Sequence, residues 1–77
     1  MNKAQRKELC KALELIENAS EIIIRIKDEE QDKFDNLSEG LQATEVNQKL
    51  EENAQELETI GDSLEDIKQE LYVLAEI

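Results

Sequence analysis

The sequence predicts an all-α fold: an antiparallel two-helix hairpin with a heptad seam, assembling into a homo-oligomeric helical bundle. Three observations carry that expectation. The 77 residues contain no Pro and only two Gly, and Glu, Leu, Ile, Ala, Lys and Gln, which mostly favour helix, make up the bulk. Apolar residues recur at alternating steps of three and four along two separate runs. Between the runs lies a short break at Asn36-Leu37-Ser38 and Gly40.

The first helix is expected over about residues 3–35. Its stripe is Leu9, Ala12, Ile16, Ala19, Ile23, Ile26, Glu30, Lys33 and Leu37. The apolar face is wider than a seam, because Leu13, Leu15, Ile22 and Ile24 lie beside it. A face that broad asks for burial against more than one neighbour. The tip is expected over about residues 36–43, with Asn36 ending the first helix and Ser38 capping a turn through Glu39-Gly40-Leu41. Phe34, Leu37, Leu41 and Val46 close that end as an apolar cap.

The second helix is expected over about residues 44–77, with Thr44 as N-cap and Glu45 in the first turn. Val46, Leu50, Asn53, Leu57, Ile60, Leu64, Ile67, Leu71 and Leu74 form its stripe. Asn53, the one polar break, either fixes register or turns toward solvent or Lys27. Each helix is about 50 Å long at 1.5 Å per residue. Residues 1–77 make one helical-hairpin domain.

A fold centred near Gly40 opposes residues whose numbers add to about 80. Ala19 then meets Gly61 at a close approach, and Asn53 comes near Lys27. Lys3, Arg6, Lys7 and Lys11 come near Glu65, Asp66, Glu70 and Glu76, which offsets the unfavourable place of cations at a helix N-terminus. One hairpin leaves Leu15, Ile22, Ile24, Ile26, Tyr72, Val73 and Ile77 for an interface between copies. So short a chain buries little core alone, which favours self-association.

Most chemistries fail on residue type or spacing. A calcium loop begun at Asp35 puts Gly40 at position 6 but Leu37 at position 3 and Val46 at position 12. Begun at Asp28, it puts Lys33 at position 6. A di-metal bundle needs Glu-x-x-His, and there is no His. Glu51-Glu52 with Glu56 resembles the paired-Glu helix of magnesium-dependent pyrophosphohydrolases, but the required Glu-x-x-Asp is absent, and Asp62-Ser63-Leu64-Glu65 runs in reverse. Cys10 lies among Arg6, Lys7 and Lys11 without a His to act as base. No Gly-rich phosphate loop is present. The expectation is a protein that is not an enzyme, with no catalytic or metal-ligating residue and no cofactor.

The single Cys10 gives no disulfide framework. Ile22-Ile23-Ile24 is too short and too late for a signal sequence, and no stretch approaches the roughly 20 apolar residues of a membrane span. A cytoplasmic location is expected. A net charge of −11 opposes direct binding of nucleic acid or an anionic membrane. That charge is uneven, with +2 on residues 1–27 and −13 on residues 28–77.

The tip Phe34-Asp35-Asn36-Leu37-Ser38-Glu39-Gly40-Leu41-Gln42 resembles that of small acidic helical-hairpin proteins of phages and gut bacteria. Their tip reads F-D-N-L-(P/S)-E-x-L-Q, with Pro common where Ser38 stands here. The basic start and Glu/Leu-rich second helix are similar over most of the chain. The resemblance implies a phage or mobile-element origin and carries no catalytic residue.

Asp28, Glu29, Glu30 and Asp32 sit where the helix dipole opposes acids. With Asp35, Glu39, Glu45, Glu51 and Glu52 they form an acidic tip. The bland reading is a solvated face. The sharper one is a carboxylate array that imitates a phosphate backbone and inhibits a basic host protein handling nucleic acid or defence. The alternative is a self-assembled bundle acting as scaffold, or sequestering a small anion such as a nucleotide near Lys3, Arg6, Lys7 and Lys11.

Overall fold

The computed structural model describes residues 1–75; Glu76 and Ile77, and the roles expected of them, lie outside the described residues. Three helices follow in order: α1 over Lys3–Asp35, α2 over Glu39–Gln42 and α3 over Glu45–Ala75. α1 and α3 pack along their lengths into a rod of 58 × 15 × 15 Å. Glu17 meets Lys68 and Glu30 meets Asn53, so one number falls as the other rises and the helices are antiparallel.

The helix ends follow from unsatisfied backbone groups. Asn2 caps α1: its Oδ1 accepts the Gln5 amide at 2.8 Å, and the Gln5 side chain accepts the Asn2 amide at 3.1 Å. At the other end the Asn36 N–H donates back to the Asp32 carbonyl and the Leu37 N–H to that of Phe34. Gln42 then does what no α1 residue can. Its Nε2 donates to the carbonyls of Phe34 at 3.1 Å and Leu37 at 3.2 Å, tying the end of α1 to the short helix α2. Leu41 O accepts from Thr44 Oγ1 at 2.8 Å and from Asn47 Nδ2 at 3.1 Å, which locks α2 to α3.

Several tip expectations need correction: the Ser38 side chain makes no cap hydrogen bond, and Leu41 and Val46 are too exposed to close an apolar cap. The Thr44 hydroxyl donates backward to Leu41 in place of capping α3. Gly40 is the second residue of α2, with no left-handed backbone, so the chain reverses through residues 36–38 without needing a glycine.

The seam also differs from the expected one. Leu9, Ile16, Ile23, Glu30 and Leu37 face α3, as do the α3 residues Leu50, Leu57, Leu64 and Leu71 toward α1. The alternate steps are shifted by one residue. Leu13, Ser20, Lys27 and Phe34 replace Ala12, Ala19, Ile26 and Lys33; Asn47, Ala54, Gly61, Lys68 and Ala75 replace Val46, Asn53, Ile60, Ile67 and Leu74. Both stripes keep the same period, so spacing alone fits either. On α3 the occupied stripe holds smaller side chains, with Ala54, Gly61 and Ala75 in place of Asn53, Ile60 and Leu74, whereas on α1 Leu13 and Phe34 are larger than the Ala12 and Lys33 they replace. The larger residues beside them straddle the contact.

The resulting core is thin. Leu13, Ala54 and Ala75 retain 6%, 2% and 5% of their surface, and Ser20 is the buried polar residue. The two cross-helix contacts add to 83 and 85 in residue number, so the expected register near 80 is off by about one helical turn. Gly61 is therefore not a point of close approach to Ala19, which is exposed; a Cβ on Gly61 would meet no atom within 4 Å.

Two stability predictions follow from these contacts. Gly61→Ala gains up to about 1 kcal/mol of helix propensity without a clash. Its thermal midpoint rises by roughly 4–8 °C per kcal/mol gained; an unchanged or lower midpoint contradicts the open space at this position. Gln42→Ala strips two donors from the end of α1 and costs about 1 kcal/mol in urea unfolding, with Gln42→Glu costing more because a carboxylate only accepts.

Candidate interaction surface

The two sides of the seam differ in character. On one side, Ser20, Ile24, Lys27, Glu58, Gly61 and Glu65 line a groove that continues toward Cys10, Glu14, Glu17, Lys68 and Tyr72. This side is wired by charge. Lys68, half-buried in the seam, reaches Glu17 of α1 at 2.7 Å and Glu65 of its own helix at 3.0 Å. The two carboxylates push the Lys68 ammonium well above the ordinary lysine range, led by the hydrogen bond to Glu17. The hydrogen bond from Lys68, then that from Gln69, holds Glu65 below the usual carboxylate value.

The printed cross-helix ion pair has the reverse polarity to the one expected, an acid on α1 with a base on α3. Among the described residues, Lys3, Lys7 and Lys11 enter no ion pair. These three are exposed and one helical turn apart on α1, while Arg6 turns half-buried into the end of the seam. They form a ridge and not a pocket.

The other side is apolar. Ile26, Glu30, Asn53, Glu56, Leu57 and Ile60 line one open groove across it. Helical spacing extends the strip along α1 through Ala19 and Ala12, with Leu15 and Ile22 one step outward. Along α3 it continues through Ile67 and Leu74. Leu15, Ile22, Ile26, Ile60, Ile67 and Leu74 are 39–68% exposed.

The residues expected at a copy-to-copy interface therefore divide. Leu15, Ile22 and Ile26 share the apolar side. Ile24 and Tyr72 border the opposite, charged grooves, and Val73 lies one residue farther round α3 at 78% exposure. The sequence pattern missed Ile60, Ile67 and Leu74, because it assigned them to the seam.

The acidic tip also divides. Asp28, Glu29, Asp32, Asp35, Glu39, Glu45 and Glu52 are exposed; Glu30 and Glu51 are half-buried. Several acids have local partners: Asp28 has Lys27 at 3.4 Å, Asp35 accepts from Gln31 at 2.9 Å and Glu51 accepts from Gln55 at 3.2 Å. Glu30 lies in the seam, and Lys33 Nζ at 3.2 Å, then Asn53 Nδ2 at 3.4 Å, hold its carboxyl below the usual range. Asn53 meets Glu30, and not Lys27 as the expected register had it. Among the described residues no three Asp, Glu or Cys side chains converge into a metal-binding group. No described helix is long and apolar enough to cross a membrane.

Comparison with family models, with curated proteins and with solved structures gives no match to this chain.

The depressed Glu30 carboxyl fixes a pH dependence. Its contribution is fully present above the unfolded value of about 4.3 and is lost as pH falls through the lower, folded value. Denaturant unfolding of wild type and Glu30→Gln should show a wild-type advantage at neutral pH that vanishes in acid. A difference that is constant with pH would contradict this coupling.

Proposed function

We propose that the chain is a small non-enzymatic inhibitor, phage- or mobile-element-borne, whose acidic end docks on a basic site of a host protein that handles nucleic acid or acts in defence. One observation carries this reading: seven of the nine tip carboxylates are exposed, at the end of the rod where few cations offset them. A basic groove made for phosphates would take up such an array, and the same net charge keeps the chain off nucleic acid itself. Asp28, Glu29, Asp32 and Asp35 supply the α1 half of the contact, and Glu39, Glu45 and Glu52 the rest. Glu30 and Glu51 support neighbouring side chains from the flank.

A second reading has its own support. The exposed apolar side favours a homo-oligomeric bundle, working as a scaffold or as a binder of a small anion at its Lys3, Lys7 and Lys11 ends.

Immobilised wild-type chain should capture a basic protein from a host lysate at low salt and release it at about 0.5 M salt. An Asp28→Asn, Asp32→Asn, Asp35→Asn chain should capture little of it. Equal capture by both chains, or a complex indifferent to salt, refutes the docking model.

A further inference from the structure

We propose that the apolar side of the hairpin is closed by a second copy of this chain, laid antiparallel across it with a two-fold axis at Ala19. The orientation deepens the self-association reading above and rests on it.

The surface area sets the need. A compact protein of 8.9 kDa is expected to expose about 4,800 Å². This rod exposes 5900 Å², an excess of roughly 1,100 Å². A standard interface hides about 800 Å² on each partner. Leu15, Ile22, Ile26, Ile60, Ile67 and Leu74 gather on one side, while the other side, bordered by Ile24 and Tyr72, is crossed by the Glu17–Lys68–Glu65 contacts. The strip is also central. Ala12 to Ile26 on α1 is centred at Ala19, and Ile60 to Leu74 on α3 is centred at Ile67. The cross-helix register of 83 to 85 brings those two centres to nearly the same level. A single two-fold axis can therefore superpose both halves of the strip on their copies.

Charge selects the direction. Ala19 is the midpoint of Lys3–Asp35, so the axis sets the start of α1 level with the end of α1 in the other copy. The start carries Lys3, Arg6, Lys7 and Lys11 with Glu8 as its one acid through Ala12. The end carries Asp28, Glu29, Glu30, Asp32 and Asp35 against Lys27 and Lys33. Antiparallel copies bring unlike ends together. Parallel copies would set two acidic tips side by side at a separation where salt screens only part of the repulsion. The small Ala19 at the crossing lets the two α1 helices approach closely.

Light scattering on the full chain should give twice 8.9 kDa at micromolar concentration. Ala19→Glu sets two carboxylates on the axis and should raise the dissociation constant roughly 100-fold or more, with helicity retained by circular dichroism. On a Cys10→Ser background, Ala19→Cys should oxidise to a symmetric disulfide, because both thiols lie at the axis. This arm decides the matter even where Ala19→Glu loses helicity. A wild-type monomer overturns the orientation and the self-association reading together. A dimer that fails to cross-link through Ala19→Cys, or that survives Ala19→Glu, overturns the antiparallel arrangement and leaves self-association standing.

Discussion

A pair of helices can bury only the stripe along which they touch, and in this hairpin much of that stripe is small or polar. Ser20, Ala54, Gly61 and Ala75 bring little apolar surface. Lys27, Glu30 and Lys68 stand in the same stripe and are kept there by partners at 2.7 to 3.4 Å. Length takes the place of breadth: 33- and 31-residue helices repeat a thin contact many times. The larger apolar side chains, shifted one position to the side, are left half-covered. Their exposure is thus a direct consequence of which stripe closes the seam.

Reversing two long helices leaves the last carbonyls of α1 short of intrahelical partners, and the Asn36 and Leu37 amides answer those of Asp32 and Phe34. The tip adds side chains. Gln42 serves two carbonyls, and Thr44 and Asn47 share a third. These bonds account for Gln42 in the quoted tip motif, since its position eight residues after Phe34 brings one amide to both ends of the turn. They also explain why Gly40 is dispensable as a hinge. Specific donors, and not a flexible backbone, set the reversal.

The helix run lengths, the break and the antiparallel pairing were legible because each is a local or periodic property. Asn36 stands at the end of α1 and Ser38 at the start of α2, although the Ser38 hydroxyl makes no cap hydrogen bond. The stripe that closes the seam was not legible. Two stripes one residue apart have the same period, and both carry apolar residues; choosing between them depends on side-chain size at contacts the sequence does not display. The missed shift moved Ile60, Ile67 and Leu74 from seam to surface and Lys68 from surface to seam. Register failed for a related reason. It depends on which side chains meet across the seam: the connection between Asp35 and Glu45 is close to the expected length, yet the contacts add to 83 and 85. The acids at the tip could be located but not sorted, because only the seam reveals that Glu30 is engaged while Asp32 is free to meet water.

The charge pattern is easier to understand for a pair of rods than for one. Acids in the last turns of α1 and cations in its first turns each oppose the helix dipole, at about 0.3–1 kcal/mol apiece. Inside a single hairpin, the exposed acids Asp28, Glu29, Asp32 and Asp35 have no cation of α3 in an ion pair among the described residues. The end of α1 lies beside the acidic start of α3, and Lys3, Lys7 and Lys11 make no ion pair among the described residues. Two disfavoured sets of opposite sign at opposite ends of one helix are complementary to each other in one arrangement only, the antiparallel one. That arrangement leaves the outermost carboxylates of the tip, Glu39, Glu45 and Glu52, facing away from the shared face. A paired rod would then present Glu39, Glu45 and Glu52 at each end, while a basic partner that also takes Asp28, Glu29, Asp32 and Asp35 competes for them with the cations of the other copy.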